Sequence, residues 1–251
     1  FEPFFRNILL GQMNLLLLAM VVVDCFLVPA GPRWAVVGIA AATNLVPGAL
    51  CGVRVLARAW GAALRCAAAC AVTVGLGSGS APRDSWQFWS GGFVNLSRFG
   101  VEAVIGSDNQ SLTAAFMRLS HDLTPPPILM LILSVAVMSL GVVAAKRQIE
   151  SGNEVAGLVC IAFGSLLASP ISWTHHWIWA VIALLVLVHA RRWIMSGLLG
   201  GIFVAGLMWH APRGHMLELQ HNWWQVTAGV SYVLGGLGLG ACMMSSRSAG
   251  R

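Results

Sequence analysis

The chain has 251 residues, of which 57% are hydrophobic and only 10% are charged. A soluble domain carries about 45–50% apolar and about 25% charged residues, so a single soluble core of this size cannot hide so much apolar surface. The net charge of +6 does not indicate nucleic-acid binding, because the cations lie at the ends of apolar runs, where a positive-inside bias and anionic lipid explain them.

Several apolar runs are long enough to cross a bilayer as helices, which need about 20 residues. The sequence predicts an all-α, polytopic transmembrane protein of about seven to eight membrane segments, forming a single transmembrane domain over 1–251. The predicted segments are 8–28, 35–58, 59–78, 127–145, 155–170, 177–193, 194–209 and 223–243. A long polar loop, 79–126, and a short one, 210–222, lie between them.

The Lys and Arg residues predict the orientation, because cytoplasmic loops carry an excess of these residues. Ten of them lie on one set of connections and five on the other. The larger set, predicted to be cytoplasmic, is Arg33, Arg54, Arg58, Arg65, Lys146, Arg147, Arg191, Arg192, Arg247 and Arg251. Loop 79–126 is therefore predicted to be extracytoplasmic. Six of the seven histidines fall on that side, together with a cluster of tryptophans, most of which we expect to form an interfacial belt.

Segment 35–58 is predicted to be a re-entrant helical hairpin with both ends in the cytoplasm. Arg33 precedes it and Arg54 closes it, so a single span would place cations on both sides of the membrane. Asn44 and Pro47 interrupt its middle, and proline breaks the helical hydrogen-bond ladder. Such a break is tolerated only where protein or a water-filled cavity surrounds it.

The first apolar span contains two amides, Gln12 and Asn14, within Gly11-Gln12-Met13-Asn14. Amides in an apolar helix face either a cavity or a hydrogen-bonding partner on another helix, and both interpretations stay open. Asp24 is the one acid well inside an apolar run, and we expect it to reach the interface or to pair with an Arg.

The six cysteines lie in or beside apolar stretches and show no Cys-x-x-Cys or Cys–His zinc spacing. We therefore predict small buried apolar side chains and no metal site.

The long loop contains Asp108-Asn109-Gln110-Ser111 ahead of a predicted helix over 112–119. Ser111 could cap this helix, and a helix N-terminus can hold an anion such as phosphate. An ordinary cap on a surface helix is the alternative. Arg98 and Arg118, with Arg6 and Arg83 as weaker candidates, could hold phosphate oxygens in a bidentate fork or contact lipid headgroups.

The connection between the short segments 155–170 and 177–193 contains Ser169-Pro170-Ile171-Ser172-Trp173-Thr174-His175-His176. Short helices draw their connection toward the membrane, where non-helical backbone needs a polar cavity. We expect this turn to line a pocket near the outer leaflet. A histidine there could accept a proton from a hydroxyl or donate to an anion, and structural hydrogen bonding is the alternative.

Together these motifs resemble one family, the polyprenol-phosphate-mannose-dependent α-(1→2)-mannosyltransferases, which form glycosyltransferase family 87 of the GT-C superfamily. The similarity covers about the C-terminal two-thirds of that family. The motifs that carry it, in chain order, are Gly11-Gln12-Met13-Asn14, the stretch 38–47, Asn109-Gln110-Ser111-Leu112 with Arg118, and Ser169-Pro170-Ile171-Ser172-Trp173 leading to His175-His176.

The resemblance implies a GT-C fold and a multi-pass enzyme of the plasma membrane whose active site is extracytoplasmic. It implies transfer of mannose, with inversion, from a polyprenyl-phosphate-mannose donor to a glycolipid acceptor of the phosphatidylinositol mannoside or lipomannan type, with no cofactor. As catalytic residues it implies His175 or His176. As substrate-binding residues it implies Gln12, Asn14, Arg98, Asn109, Gln110, Ser111, Arg118, Ser172 and Trp173.

The chain departs from the family in two places. The family usually has a Lys where this chain has Asn44, and it carries a catalytic Asp in a first extracytoplasmic loop to which no part of this chain corresponds. We therefore expect a chain that lacks an N-terminal part. Two alternatives stay open: a non-catalytic truncated homologue or scaffold, and a membrane transporter with its site at mid-membrane.

Overall fold

The computed structural model describes residues 1–29, 31–92 and 95–245, so Arg247 and Arg251 of the predicted cytoplasmic set lie outside the described residues. Across these ranges the chain is 77% helix without strands, as the all-α prediction required. The chain divides into a larger unit, Phe1–Leu15 with Phe99–Arg251, and a smaller unit, Leu16–Arg98.

Fourteen α-helices make up the described part of the chain. They are α1 Glu2–Leu9, α2 Asn14–Phe26, α3 Ala35–Ala41, α4 Leu45–Leu56, α5 Trp60–Ser80, α6 Pro82–Gln87, α7 Val101–Ile105, α8 Leu112–Ser120, α9 Pro127–Glu150, α10 Glu154–Ala168, α11 Ala180–His189, α12 Trp193–Ala205, α13 Trp223–Gly229 and α14 Ser231–Ser245. Short 3₁₀ turns lie at Leu96–Phe99, Thr174–Trp179, Leu207–His210 and Leu217–Gln220, and a π turn lies at Phe88–Gly92.

Among the described residues, α5 and α9 are long and apolar enough to cross a membrane singly. The number rises to four if each of two bent helix pairs is one span, and α13 with α14 is such a pair, bent by 64°. The shorter apolar helices α10, α11 and α12 match the predicted segments 155–170, 177–193 and 194–209, and α10 and α12 each begin one residue earlier. The protein is therefore a polytopic membrane protein, and the number of seven to eight segments stays a prediction.

The first predicted span, 8–28, is not one helix, which corrects the sequence analysis. Helix α1 ends after Leu9 and α2 begins at Asn14. Gly11 has a left-handed φ of +60°, and the N–H groups of Gly11 and Gln12 donate to the carbonyls of Ile8 and Asn7. This is a Schellman helix end, which glycine adopts without a Cβ penalty. The apolar run hides the break because both helices are apolar.

The smaller unit contains a helical hairpin, α3 and α4, within the predicted range 35–58. Its re-entrant placement, with both ends in the cytoplasm, stays a prediction. The guanidinium of Arg54 lies 4.5 Å from the ring centroid of Trp34, at the open end of the hairpin. At the closed end, Ala42–Asn44 separate α3 from α4, and the Asn44 side chain accepts the Val46 N–H at 3.0 Å. Pro47 then lies in the first turn of α4, where its missing N–H breaks no intrahelical bond.

Asp24 contacts backbone N–H groups at the start of this hairpin, and no Arg among the described residues pairs with it. It is fully buried, and its Oδ1 and Oδ2 accept the N–H groups of Trp34 at 2.9 Å and Val37 at 2.8 Å. A carboxylate at the start of a helix satisfies orphan N–H donors and is stabilised by the helix dipole. Asp24 is therefore explained by the start of α3.

Helix α5 packs closely against the hairpin in the smaller unit. A Cβ atom added to Gly38 would collide with the Cys66 carbonyl oxygen and lie 2.8 Å from the Ala69 Cβ. Cys51 and Cys66 are disulfide-bonded, with Cα atoms 6.2 Å apart, so these two were wrongly predicted to be small buried thiols. The pairing depends on how α4 meets α5, which the spacing of 15 residues does not reveal.

The core of the larger unit is aromatic as well as aliphatic. Trp177 is fully buried, and its ring centroid lies 5.8 Å from that of Tyr232 and 6.0 Å from that of Phe203. Trp179 is also buried, so neither of these two tryptophans belongs to the predicted interfacial belt. Trp223 is 82% exposed, as a belt residue would be.

We expect Gly38→Ala to destabilise the protein, because the new methyl group meets backbone of α5 that cannot move away. Overpacking of this kind costs about 1–3 kcal/mol. Thermal unfolding of the detergent-solubilised protein measures the change, with Gly52→Ala on α4 as the matched control, since a Cβ there meets no atom within 4 Å. Equal unfolding temperatures for the two variants would contradict the close contact.

Candidate functional site

The histidine turn of the larger unit, Thr174–Trp179, is held by helix α1. The Asn7 side chain, 1% exposed, donates its Nδ2 hydrogens to the carbonyls of His175 and Pro3, both at 2.8 Å. Its Oδ1 accepts from Nδ2 of Asn14 at 3.1 Å. Asn14 is buried, so this predicted residue reaches the histidine turn through Asn7.

Asn109 joins the two irregular segments on which the motifs lie. Its Nδ2 group donates to the carbonyls of Val104 at 2.8 Å and Pro170 at 3.2 Å, while its Oδ1 accepts the N–H groups of Ser172 at 2.9 Å and Ser111 at 3.3 Å. Asn109 is fully buried. All of its partners are backbone groups, so its side chain sets the path of both segments.

Gln110 and Ser111 continue this arrangement. Gln110 donates to the carbonyls of Ser107 at 2.8 Å and Gly229 at 2.6 Å, and its Oε1 accepts the Tyr232 N–H at 3.1 Å. The Ser111 hydroxyl donates to the Pro170 carbonyl at 2.9 Å and accepts an N–H of α8, so the predicted cap of 112–119 is present. Both side chains are fully buried, and their hydrogen bonds join the loop to the residues packed around it.

Arg118 is also fully buried, and its guanidinium is occupied by the protein. It donates four hydrogen bonds of 2.8–3.2 Å to the carbonyls of Ile105, Gly106, Asn109 and Gly229. Burial lowers its pKa to about 10, opposed by the nearby Glu218 and Asp108 carboxylates. Four protein carbonyls therefore occupy the terminal N–H groups of Arg118, and its predicted contact with phosphate stays a prediction.

The two histidines lie edge to face, with ring centroids 4.5 Å apart. Burial lowers the pKa of His175 to about 4, with a smaller contribution from the Arg6 charge. Burial also lowers the pKa of His176 to about 3, with a smaller contribution from His175. Both rings are therefore neutral at pH 7, which is the state in which an imidazole nitrogen can accept a proton.

Trp173 covers one side of the histidine pair. Its ring centroid lies 5.8 Å from that of His175, at an interplanar angle of 28°, and 5.7 Å from that of His176. Its ring also meets the Phe99 ring edge to face, with the two ring centroids 5.3 Å apart. Ser172, the preceding residue, is buried, and its hydroxyl donates to the Leu166 carbonyl at 2.6 Å. An aromatic face beside neutral imidazoles suits the apolar face of a sugar.

The structure does not bring every predicted residue to this cluster. Gln12 is exposed in the turn between α1 and α2. Arg98 belongs to the smaller unit, where its guanidinium lies 5.7 Å from the ring centroid of Phe88. The substrate-binding roles of these two residues stay predictions. Within the described ranges, no three His, Cys, Asp or Glu side chains are grouped as metal ligands.

Sequence reasoning missed Asn7 and Glu2, which are both on α1. Asn7 lies four positions before Gly11, and an amide so close to a glycine at the edge of an apolar run was the available sequence signal. Glu2 accepts hydrogen bonds from the Trp209 indole and the Tyr232 hydroxyl, two residues distant in sequence that no local pattern connects with it. Asp108, noted only for its position near a helix start, has a pKa raised mainly by burial.

The model of glycosyltransferase family 87 matches residues 1–170, a range that includes the Asn109 loop and ends at Pro170. The chain belongs to glycosyltransferase family 87. Two relatives are named polyprenol-phosphate-mannose-dependent alpha-(1-2)-phosphatidylinositol mannoside mannosyltransferase. The one from Mycobacterium tuberculosis is 32% identical over 92% of this chain and 55% of its own length, and the figures for the one from Mycolicibacterium smegmatis are the same.

A further relative from Mycolicibacterium smegmatis is named as the corresponding phosphatidylinositol pentamannoside mannosyltransferase. It is 27% identical over 99% of this chain and 62% of its own length. The chain thus spans about half the length of the first two relatives. No solved structure matches this family 87 chain significantly.

We expect Arg118→Gln to destabilise the protein strongly, because it removes donors from four carbonyl groups near the buried side chain. Orphaned buried polar groups cost about 1–3 kcal/mol each, so a loss of at least about 3 kcal/mol is expected. Chemical denaturation followed by tryptophan fluorescence measures it. Arg192→Gln, the same change at an exposed position of the larger unit, is the control and should stay within about 0.5 kcal/mol of the wild type.

The lowered histidine pKa values predict that the protein loses stability as the pH falls below about 6.5. The unfolded chain then binds protons that the folded chain, with pKa values of about 4 and about 3, does not. Unfolding temperatures between about pH 7.5 and about pH 5 should therefore fall less in a His175→Gln, His176→Gln double variant than in the wild type. The control is His210→Gln, at an exposed histidine. Parallel curves for the double variant and wild type would show that these rings are not held neutral.

Proposed function

We propose that this protein transfers mannose from polyprenyl-phosphate-mannose to a glycolipid acceptor of the phosphatidylinositol mannoside or lipomannan type, forming an α-(1→2) bond with inversion. The names of the relatives from both mycobacterial species support this donor and linkage. Membership of glycosyltransferase family 87 supports sugar transfer as the reaction class.

One observation in the site supports a transferase above the alternatives. The His175 Nε2 atom is buried and has no hydrogen-bond partner among the described residues. The residue is 4% exposed, and its lowered pKa keeps the ring neutral at pH 7. A buried imidazole nitrogen without a partner costs free energy, which is typical of functional sites. With its proton on Nδ1, the ring offers the Nε2 lone pair to a substrate hydroxyl.

The reaction follows as a single displacement. The acceptor hydroxyl oxygen bonds to the anomeric carbon of mannose from the face opposite the phosphate, as the bond from that carbon to the phosphate oxygen breaks. The phosphate oxygen takes the electron pair, and the hydroxyl proton passes to an imidazole nitrogen of His175 or His176. Because polyprenyl phosphate leaves as a stable anion, positioning and charge stabilisation supply most of the rate enhancement.

The other motif residues act by holding this pair in place. Asn109, Gln110, Ser111, Arg118 and Ser172 fix the two irregular segments through backbone contacts. Trp173 provides a flat apolar surface on which the mannose ring can lie beside the histidines. A buried, hydrogen-bonded support of this kind keeps reacting groups in position, so that little reorganisation is needed during the reaction.

We place the active site on the outer face of the plasma membrane. The support is the excess of Lys and Arg, ten against five, on the connections opposite those that hold the histidine turn. Mannose carried on a polyprenyl phosphate fits this location, because the lipid anchors the donor in the bilayer where a membrane-embedded enzyme can reach it.

We expect His175→Ala or His176→Ala, made separately in the protein expressed from its full reading frame, to lower the rate of mannosyl transfer. Loss of a general base typically lowers the rate by about 10²–10⁴-fold, so at least one variant should fall by this amount. Transfer of labelled mannose from polyprenyl-phosphate-mannose to a phosphatidylinositol mannoside, in membranes, measures it.

The control for this experiment is His210→Ala, an exposed histidine outside the turn. Near wild-type rates in both test variants would remove the histidines from the mechanism. A wild-type protein that folds but transfers no mannose would favour the non-catalytic scaffold.

A further inference from the structure

Two arginines of the larger unit, Arg118 and Arg6, use their guanidinium groups in opposite ways. Arg118 donates four hydrogen bonds to protein carbonyls. Arg6 donates none within the described residues. The buried Nε of each arginine lacks a hydrogen-bond partner there, so the two differ in their terminal N–H groups, which Arg118 uses and Arg6 does not. Its nearest acid is Glu2, with 3.9 Å between Arg6 Nε and Glu2 Oε1, which is longer than a hydrogen bond. Arg6 therefore has N–H donors to offer to a ligand.

The position of Arg6 is fixed without using those donors. Its guanidinium lies over the Trp209 ring, 4.6 Å from the ring centroid. The Glu2 carboxylate beside it accepts the Trp209 indole N–H at 2.9 Å with Oε1 and the Tyr232 hydroxyl at 2.6 Å with Oε2. Glu2, Trp209 and Tyr232 thus form a bonded frame that holds the cation, while stacking leaves the edge of the guanidinium plane open.

A second cation shares this frame. The Arg213 guanidinium lies 5.2 Å from the centroid of the Trp209 ring and donates to the Trp209 carbonyl at 2.8 Å. Two guanidinium groups beside one indole repel each other, and the single Glu2 carboxylate offsets only one of the two positive charges. An anion bound near them would offset the other. This juxtaposition is independent of the unused donors of Arg6, and it also points to a negatively charged ligand.

The frame lies next to the proposed catalytic turn. Asn7, which follows Arg6 on α1, donates to the His175 carbonyl at 2.8 Å. The Arg6 charge also acts on the groups around it, since it helps to lower the pKa of His175 and opposes the rise in the pKa of Asp108. An anion held by Arg6 would therefore be within electrostatic reach of both groups.

We propose that Arg6, and not Arg118, is the residue that holds the phosphate group of the polyprenyl-phosphate sugar beside His175. This inference rests on the proposed function and specifies its donor site. Two N–H groups of a guanidinium match two phosphate oxygens, and the positive charge stabilises the charge that develops on the leaving phosphate. A phosphate diester is the shared chemistry of the donor and of a phosphatidylinositol acceptor, so the test distinguishes the two.

Steady-state kinetics of Arg6→Gln and Arg6→Lys in the full-length protein, with each substrate varied in turn, tests the assignment. Loss of a charge-assisted bidentate contact should raise the KM for polyprenyl-phosphate-mannose at least about tenfold in Arg6→Gln. Arg6→Lys should recover part of that loss, because it keeps the charge without the fork. The KM for the glycolipid acceptor should be unchanged. A rise confined to the acceptor KM would assign Arg6 to the acceptor phosphate and overturn the proposal.

Direct binding separates this inference from the function on which it rests. Geranylgeranyl phosphate serves as a short polyprenyl phosphate, and its affinity for the detergent-solubilised wild type, Arg6→Gln and the control Arg192→Gln is measured by calorimetry. We expect about tenfold weaker binding only in Arg6→Gln, with an unfolding temperature close to that of the wild type.

The possible results are distinct. If the wild type binds geranylgeranyl phosphate through Arg6 but transfers no mannose, the phosphate site holds and the proposed function fails. If mannose is transferred while Arg6→Gln keeps wild-type affinity and donor KM, the function holds and the phosphate site is wrong. If Arg6→Gln no longer folds, Arg6→Lys decides, since it should fold and still bind more weakly than the wild type.

Discussion

The structure of the larger unit depends on how irregular backbone is satisfied inside a membrane protein. Backbone N–H and C=O groups that are buried away from water need hydrogen-bond partners within the protein. Asn109, Gln110 and Arg118 supply these partners for the loop before α8 and for the turn after α10. Without them, the two irregular segments could not be buried together, because their backbone groups would lack partners.

This support also sets the chemistry of the site. The rigid backbone places His175 and His176 where burial keeps them neutral, and neutral imidazoles are suited to receive a proton and not to bind an anion by charge. Charge for the phosphate must therefore come from elsewhere. Arg6 is stacked on Trp209 with its N–H donors unused among the described residues, so the proposed proton transfer and the proposed phosphate contact fall on different side chains.

The contrast between the two arginines shows why residue type alone does not give a role. Arg118 follows the Asn109 motif and resembled a phosphate ligand in sequence. The fold turns its side chain inward, where four carbonyls occupy it. Arg6 lies before a helix end that the apolar run concealed, and the fold leaves its donors available. Burial and hydrogen-bond partners distinguish the two arginines, and both are properties of packing.

The sequence by itself determined the class of protein, the all-α fold, the helical hairpin over 35–58 and the family, because apolar length, charge distribution and motif order are local or additive properties. It also predicted that the Asn109 loop and the histidine turn belong to one site. Only the tertiary structure decided the break at Gly11, the Cys51–Cys66 disulfide and the Glu2 frame around Arg6. Each of these depends on contacts between helices, and the hydrogen-bond partners of a side chain are fixed only when distant segments of the chain meet.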